Sequence, residues 1–254
     1  MWDPATYLRF GDERARPFFD LLSRVGATAP RAVVDLGCGP GNLTAEFAKR
    51  WPEARIRGVD SSPEMIGRAA AAYPMDFEVG DLRDWTPEAD TDVVVSNAAL
   101  QWVPGHEALL ARWAGALPAG AWLAVQVPGN FDVPSHLALR ELSVEAGLGD
   151  IVREAPVLEP AGYADLLAGA GCAVDAWEAT YLHRLPVVPG ADHPVLTWMD
   201  GTALRPMRAR LRAEAWQVFR DTLGKRLAEV YPVRGTVVSF PFRRIFVVAR
   251  TQGD

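Results

Sequence analysis

Cysteine is scarce in this sequence, with only Cys38 and Cys172 among 254 residues. Two cysteines cannot build a disulfide framework, so the pattern favours the reducing cytoplasm and excludes the disulfide-rich secreted classes. A run of membrane-spanning character is also absent, because the longest uncharged stretch, residues 113–131, is interrupted by prolines and glycines. The first ten residues already carry charge and no apolar segment, so we expect no signal peptide.

The remaining composition is that of an ordinary soluble globular protein, with 49% hydrophobic and 23% charged residues. The net charge of −6 argues against general nucleic-acid binding. This charge is unevenly distributed: residues 201–254 contain 11 Lys and Arg against four Asp and Glu, a local +7, so the first 200 residues carry −13. The basic last quarter indicates either capture of an anion or a solvent-exposed helix face rich in arginine, and charge alone leaves both open.

Short apolar runs alternate with helical patterns through the first half of the chain. The runs predict buried strands at 31–36, 55–59, 76–79, 92–96 and 121–127, and helices are predicted at 42–50, 62–72 and 107–117. Strands buried on both faces and separated by helices predict an α/β fold with a doubly wound, mostly parallel sheet of seven strands.

This alternation ends after residue 127. Helices are predicted at 135–146, 161–170, 194–199 and 206–229, and strands at 174–184 and 237–249. The late helices fall outside the regular winding, so we expect a cap over the strand ends. The sequence is thus interpreted as one domain over residues 1–254, with a cofactor-binding core at about 28–130 and a substrate cap formed by about 1–27, 131–170 and 190–235.

The most informative motif follows the first predicted strand, where Gly37, Gly39 and Gly41 belong to the run DLGCGPG that begins at Asp35. Glycines at this spacing let the backbone turn sharply and approach a ligand closely. The dinucleotide fingerprint would need a glycine at position 42, which is Asn42, and the lysine of a phosphate-binding P-loop is missing as well. The motif therefore departs from both of those nucleotide-binding classes.

Two further aspartates follow later strands. Asp60 comes after the second predicted strand, where a carboxylate can accept hydrogen bonds from both ribose hydroxyls of an adenosine. Asp81 follows the third strand and is suited to accept from an adenine amino group. A single aspartate in such a place is usually a turn or capping residue. Three of them, Asp35 included, in register after consecutive strands predict a cofactor site.

The runs DLGCGPG, GVDSSPEM and GDL together resemble the class I S-adenosylmethionine-dependent methyltransferases, over roughly residues 31–127. The resemblance implies S-adenosylmethionine as the cofactor, with the glycine loop beneath its methionine part and the backbone of Asn97 near its amino group. The cofactor-binding residues that it implies are Gly37, Cys38, Gly39, Asp60, Ser61, Met65, Asp81, Leu82 and Asn97. Cys38 is expected to be a small residue in a tight turn and not a nucleophile.

A closer resemblance, to the bacterial trans-aconitate methyltransferases, covers nearly the whole chain. The segments that carry it are WxPxxY at 2–7, ERARP at 13–17, NAALQW at 97–102, AVQVP at 124–128, GCxVD at 171–175, TALRP at 202–206 and FRRIFVVAR at 242–250. Two positions depart from the family pattern. Ala203 replaces a glycine, which should be neutral, and Arg243 replaces a proline, which leaves open whether Arg243 or Arg244 is the functional arginine.

The resemblance implies that the substrate is a small tricarboxylate, one carboxylate of which becomes a methyl ester. A carboxylate is already ionised at pH 7, so no catalytic base is expected. The other carboxylates need neutralising charge, which arginines supply as bidentate, permanently charged groups. The substrate-binding residues expected on this basis are Arg205, Arg244, Tyr7, Gln101, Trp102, His136 and Arg243.

Simpler roles remain open for several of these residues. Arg205 and Arg244 would face solvent at a helix start and on a strand, Tyr7 would only pack an N-terminal segment together with Trp2, and His136 would be an ordinary surface or core histidine.

Two other functions also remain open. One is a methyltransferase of another small-molecule acid, a hydroxyl or an amine, and the last two would require a base. The other is a non-catalytic S-adenosylmethionine-binding subunit. We expect no nucleic-acid or membrane partner, a monomer, and no metal site, because the remaining histidines have no ligand partner at suitable spacing.

Overall fold

The computed structural model describes residues 11–152 and 156–253, with side chains from residue 15 onward. Trp2 and Tyr7 lie outside the described residues. The helices are α1 (Gly11–Ser23), α2 (Thr44–Arg50), α3 (Pro63–Ala72), α4 (His106–Ala116), α5 (Pro134–Glu145), α6 (Pro160–Gly169), α7 (Pro194–Asp200), α8 (Arg205–Arg210) and α9 (Ala213–Val230). The strands are β1 (Ala32–Leu36), β2 (Arg55–Asp60), β3 (Asp76–Val79), β4 (Thr91–Asn97), β5 (Trp122–Pro128), β6 (Cys172–Pro186), β7 (Val233–Arg234) and β8 (Val237–Thr251).

One sheet contains all of these strands, in the order β3-β2-β1-β4-β5-β8-β6, with the short β7 paired to β8. The first five strands are parallel to one another, and β8 runs antiparallel to β5. The predicted doubly wound, mostly parallel sheet of seven strands is therefore confirmed, and β7 adds a two-residue eighth strand. The winding reverses between β1 and β4, so ligands are expected at the carboxyl ends of these two strands.

Local sequence accounts for most of these elements. All five residues of β1 are buried, as both faces of a parallel sheet are covered by helices. Helix α3 begins as predicted, because Ser62 caps it by accepting a hydrogen bond from the backbone N–H of Met65 at 3.4 Å and Pro63 is its first residue. Across the described residues, no helix is both long enough and apolar enough to cross a bilayer.

One predicted helix is wrong. The expected helix at 206–229 is divided into α8 and α9, because Leu211 and Arg212 adopt extended backbone conformations. No proline or glycine marks this break. In an uninterrupted helix Met207 would lie about 120° around the axis from Phe219. The break lets both side chains enter one apolar core, to which Leu223 and Leu227 also belong.

The chain divides into two compact units. The larger unit comprises Ala15–Pro128, Leu158–Ala179 and residues 244–253, and the smaller comprises residues 11–14, Gly129–Val157 and Thr180–Arg243. The core of the smaller unit is built by α5, α7, α8, α9 and the aromatic residues of β8.

This division differs from the expected cap at two places, because residues 15–27 and α6 belong to the larger unit. Helix α6 joins that unit through Tyr163, whose hydroxyl lies 2.6 Å from Nε2 of His106 in α4. Both side chains are buried. This contact between residues 57 positions apart is not visible in the local pattern of either helix.

Candidate functional site

Two of the glycines in the loop after β1 have different steric requirements. Gly37 has a φ of +82°, and a Cβ built on it would lie 2.2 Å from the Cβ of Ala99, so no side chain fits there. Gly39 has a φ of +56°, and no heavy atom lies within 4 Å of the place where its Cβ would stand. Position 37 is thus reserved for close packing between two loops, whereas the space beside Gly39 is open to a ligand.

Asp60, the last residue of β2, is tied to this loop. Its Oδ2 accepts a hydrogen bond from the backbone N–H of Gly39 at 2.9 Å, and its Oδ1 accepts one from the N–H of Ser62 at 2.9 Å. An ionised carboxylate has about four acceptor positions, so each oxygen retains one. Two ribose hydroxyls fit this remaining capacity. The loop and Asp60 together therefore fit an adenosine-containing cofactor.

Asp35 lies inside β1, within the strand predicted at 31–36, whereas Asp60 and Asp81 lie at or beyond the ends of their strands. Asp35 is only 4% exposed, and its Oδ2 accepts a hydrogen bond from the hydroxyl of Thr44 at 2.6 Å. Burial raises the pKa of Asp35 to about 7, the Thr44 hydrogen bond opposes this rise, and the charge of Asp60 adds to it. Asp35 thus joins β1 to the start of α2 from within the larger unit.

Cys38 is buried beside the same loop, and its burial raises the pKa of the thiol above its ordinary value. A thiol held in its protonated form is a poor nucleophile. Among the neighbouring cofactor candidates, Met65 is half-buried in the first turn of α3 and Ser61 is exposed.

Asp81 and Leu82 follow β3 as predicted, but Asp81 has a partner that the motif did not indicate. Its carboxylate accepts hydrogen bonds from the backbone N–H of Arg83 at 2.8 Å and from Nε of the same residue at 3.0 Å. These hydrogen bonds lower the pKa of Asp81 to about 2. Leu82 is buried. An adenine amino group would therefore have to share Asp81 with Arg83.

The loop after β4 carries Asn97, the last residue of that strand, and Ala98, which has a φ of +56°. Such a conformation costs a non-glycine residue about 1 kcal/mol or more. It is held by two hydrogen bonds: the N–H of Ala98 donates to the backbone carbonyl of Gln126 at 2.9 Å, and Nε2 of Gln101 donates to the carbonyl of Ala98 at 2.6 Å. Trp102 follows in the same loop and is 56% exposed.

Strand register aligns a row of polar side chains across one face of the sheet. Directly paired residues of neighbouring strands share a face, as do residues two apart in one strand. The pairs that establish the alignment are Gly58 with Asp35, Asp35 with Val95, Asn97 with Gln126, and Pro128 with Arg244. The polar row therefore consists of Asp60, Asp35, Asn97, Gln126 and Arg244, in that order.

The row changes its chemistry along its length, from two carboxyl groups through two amides to one guanidinium. Arg244 at its end is only 6% exposed, and its NH1 lies 3.5 Å from Oε1 of Gln126. The solvent-facing alternative for Arg244 is thus wrong. Three buried amide atoms of this region, Oδ1 of Asn97, Oε1 of Gln101 and Nε2 of Gln126, have no hydrogen-bond partner within the described part of the chain.

Apart from Arg244, Gln101 and Trp102, the expected substrate residues belong to the smaller unit or lie outside the described residues. Arg205 is the first residue of α8, is exposed, and forms no ion pair with any described residue. His136 lies in α5 with its Nδ1 3.1 Å from the hydroxyl of Ser135 and its ring 6.4 Å from that of Phe242. The backbone of Arg243 is held by Asn130, and Tyr7 is not described.

Sequence reasoning did not select Gln126, which the strand register places in the polar row. The available signal was its presence as the one polar residue in the apolar stretch 121–127. No comparable sequence feature indicated that Arg83 would donate hydrogen bonds to Asp81. Within the described ranges, no three His, Cys, Asp or Glu side chains are grouped so that they could hold a metal ion.

Comparisons with known proteins agree with this geometry. A family model described as "Methyltransferase domain" matches residues 33–120. Among solved structures, an S-adenosylmethionine dependent methyltransferase from Mesorhizobium loti aligns with a TM-score of 0.53 at 18% identity, over 94% of this chain and 99% of that one. Phosphoethanolamine N-methyltransferase 2 from Haemonchus contortus, in complex with S-adenosyl-L-methionine, gives 0.55 at 14% identity, over 94% of this chain and 53% of that one. At these identities the likeness concerns the fold.

Full-length relatives are much more similar. Trans-aconitate 2-methyltransferase from Mycobacterium sp. (strain KMS) is 57% identical, over 99% of this chain and all of that one. The enzymes of the same name from Rhodococcus jostii and Mycobacterium tuberculosis are 56% and 53% identical, over 99% and 100% of this chain and 100% and 98% of their own. The chain therefore belongs to the trans-aconitate 2-methyltransferase family, within the class I S-adenosylmethionine-dependent methyltransferases.

Proposed function

We propose that this protein transfers a methyl group from S-adenosylmethionine to one carboxylate of trans-aconitate, forming the monomethyl ester. The observation that carries the proposal is the polar row, which has carboxyl groups at one end and the buried guanidinium of Arg244 at the other. The methyl donor is cationic and the methyl acceptor is anionic. A row of this polarity favours the donor near Asp60 and the acceptor near Arg244.

The cofactor half of the site is assigned to residues around the glycine loop. S-adenosylmethionine supplies a methyl group on a sulfonium, which is ready to be attacked. Gly37 and Gly39 would lie against its methionine part and Asp60 would accept from its ribose hydroxyls through its remaining acceptor positions. The further cofactor contacts are assigned to Cys38, Ser61, Met65, Asp81, Leu82 and Asn97.

The substrate half relies on charge and not on a base. The attacking carboxylate oxygen forms the new bond to the methyl carbon while the bond from that carbon to sulfur breaks, so no proton is transferred. Carboxylates with a pKa of about 3–5 are already ionised at neutral pH. What the chain must provide is alignment and neutralisation of the remaining carboxylates, because an unpaired buried anion is very costly.

Arg244 is the residue best suited to this task, since a buried guanidinium acts at a lower effective dielectric than an exposed one. Gln101 and Trp102 lie in the loop that follows Asn97 and are assigned to the same substrate. Tyr7, His136, Arg205 and Arg243 stay assigned to it through the family resemblance alone, and Arg205 and Arg243 are tested below.

The proposal also includes the domain organisation, oligomeric state, partners and location of the enzyme. It describes a single methyltransferase domain with a cofactor core at about 28–130, acting as a monomer on a small tricarboxylate, without nucleic-acid or membrane partners. A cytoplasmic location is included in it, since Cys38 and Cys172 are both present as free thiols.

The test is turnover by the purified protein, with the product identified by mass spectrometry and its esterified position by NMR. We expect the monomethyl ester of trans-aconitate, and a rate that stays flat between about pH 6 and 9 because the carboxylates titrate far below that range. Cis-aconitate, isocitrate and a panel of hydroxyl and amine acceptors serve as comparison substrates. Turnover of a hydroxyl or amine acceptor with a steep rise through pH 7 would contradict the proposal, and so would cofactor binding without turnover of any acid.

A further inference from the structure

Gln126 is a fully buried polar side chain in an apolar strand. It is 0% exposed, and its neighbours Ala124, Val125 and Val127 are buried apolar residues of β5. Its Nε2 has no hydrogen-bond partner within the described part of the chain. Buried amide donors in proteins are nearly always paired, so an unpaired one requires an explanation.

The orientation of this amide follows from its neighbour. A guanidinium carries only donors, so the Gln126 atom that faces NH1 of Arg244 at 3.5 Å must be the acceptor Oε1. A flipped amide would bring two donors together. Nε2 is therefore the amide atom that does not face NH1, and it retains two N–H groups.

The position of Gln126 connects the two halves of the polar row. It is paired in register with Asn97, and its backbone carbonyl accepts the hydrogen bond from Ala98 that holds the loop after β4. That loop in turn packs against Gly37 through Ala99. The unpaired amide donor thus lies in the row between Asn97 and the permanent positive charge of Arg244.

We propose that Gln126 is a specificity-determining residue that donates a hydrogen bond from Nε2 to a substrate carboxylate that is not methylated, while its Oε1 orients Arg244 toward the same anion. This inference rests on the proposed function. An N–H donor beside a guanidinium repels a cation and attracts an anion. A substrate carboxylate would supply the acceptor that Nε2 lacks among the described residues, and the permanent charge of Arg244 favours a carboxylate over a neutral acceptor.

The test measures equilibrium binding of trans-aconitate to the complex of the protein with S-adenosylhomocysteine, which cannot react. Gln126→Met preserves the length and volume of the side chain and removes both its donor and its acceptor. We expect trans-aconitate to bind about 10- to 100-fold more weakly, with unchanged affinity for S-adenosylhomocysteine. Gln126→Glu should bind it more weakly still, because the new carboxylate occupies Arg244 and repels the substrate. Thr251→Val is the matched control, since it removes a buried hydrogen-bonding group from β8 next to Ala121.

Three dicarboxylates make the test specific. Itaconate, mesaconate and glutaconate each lack one of the three carboxylates of trans-aconitate. If Gln126 binds one particular carboxylate, one of these dicarboxylates lacks that group, and the Gln126→Met substitution should have little effect on its binding. The other two dicarboxylates retain the group, so the substitution should weaken their binding about as strongly as it weakens the binding of trans-aconitate. An equal loss for all four acids would overturn the proposal, because it would indicate a structural role, and so would no loss at all.

Failure of this inference can be distinguished from failure of the proposed function. Binding of trans-aconitate that depends on Gln126, without turnover, would contradict only the proposed reaction. Turnover of trans-aconitate with unchanged binding in Gln126→Met would contradict only the role of Gln126. If no di- or tricarboxylate binds to the unsubstituted protein, both are overturned. If Gln126→Met unfolds, Gln126→Leu, which also removes both the donor and the acceptor, is measured with the same four acids and decides the question.

Discussion

The backbone N–H of Gly39 donates a hydrogen bond to Oδ2 of Asp60 at 2.9 Å, which joins the loop after β1 to the end of β2. One carboxylate thereby supports the glycine loop and retains acceptor capacity for a ligand. Since Oδ1 accepts from Ser62, the same side chain also orients the start of α3. Asp60 thus links cofactor binding to the local stability of two loops.

The first prediction concerns Asp60. Asp60→Ala should weaken binding of S-adenosylhomocysteine by about 1–3 kcal/mol, because the ribose hydroxyls lose their acceptor. Isothermal titration calorimetry measures this change. Asp76→Ala, an exposed aspartate on the neighbouring strand β3, is the control and should bind normally. Equal affinity of Asp60→Ala and the unsubstituted protein would remove Asp60 from the cofactor site.

The second prediction concerns the contact between Gly37 and Ala99. Gly37→Ala should lower the free energy of unfolding by about 2 kcal/mol or more, from overpacking and from the positive φ together. The double variant Gly37→Ala, Ala99→Gly removes the colliding methyl group and should recover about 1–3 kcal/mol of overpacking, while the backbone strain remains. Urea unfolding of both single variants and the double variant gives the coupling energy. Strictly additive effects would contradict this contact.

Gly39→Ala is the matched comparison for that pair, because its Cβ would meet no protein atom. It should cost only about 1–2 kcal/mol in stability, from its positive φ. Its main effect should be a lower affinity for S-adenosylhomocysteine, because the new methyl group would occupy the space beside the loop that this ligand needs. The two alanine substitutions should therefore separate stability from cofactor affinity.

The third prediction follows from Asp35, whose pKa burial raises to about 7 in the folded chain. Between about pH 4 and pH 7 the folded chain retains a proton that the unfolded chain has released, so the free energy of unfolding falls as the pH rises. The contribution is fully present below about pH 4 and is lost through about pH 7. The whole shift corresponds to about 4 kcal/mol.

Asp35→Asn isolates this effect, because its side chain is neutral at every pH. The stability of the unsubstituted protein relative to Asp35→Asn should decline between pH 4 and pH 7, as measured by urea unfolding at intervals of half a pH unit. Asp76→Asn should show no such trend. A relative stability that rises with pH would mean that Asp35 is ionised in the folded chain.

The fourth prediction concerns the arginines. Arg244→Ala should lower kcat/KM for trans-aconitate by about 2–4 kcal/mol, since a close charge pair is lost, while the affinity for S-adenosylhomocysteine stays nearly unchanged. Arg244→Lys should restore only part of the activity, because lysine cannot form a bidentate pair. A similar loss is expected for Arg205→Ala if Arg205 binds the substrate, and for Arg243→Ala if Arg243 and not Arg244 is the functional arginine. Full activity of both Arg205→Ala and Arg244→Ala would show that these arginines do not bind the substrate.

The amino-acid sequence by itself determined the order of the elements and the cofactor loop. Buried strands, helix caps and glycines at positive φ depend on residues within a few positions of one another, so the local pattern of residues 31–127 was sufficient to predict them. The methyltransferase class was predicted from the same local motifs, and the comparison with known families confirmed that prediction.

Tertiary structure alone decided which side chains from distant parts of the chain lie on the same face of the sheet. Gln126 and Arg244 are 118 residues apart, and only the antiparallel register of β5 and β8 brings them to one face. A shift of that register by one residue would move Arg244 to the opposite face of the sheet and bring Arg243 or Ile245 in its place. The break at Leu211 likewise depends on the packing of Met207 and Phe219 into one core. These features lack a local signal because their energies come from contacts between segments that are far apart in the chain.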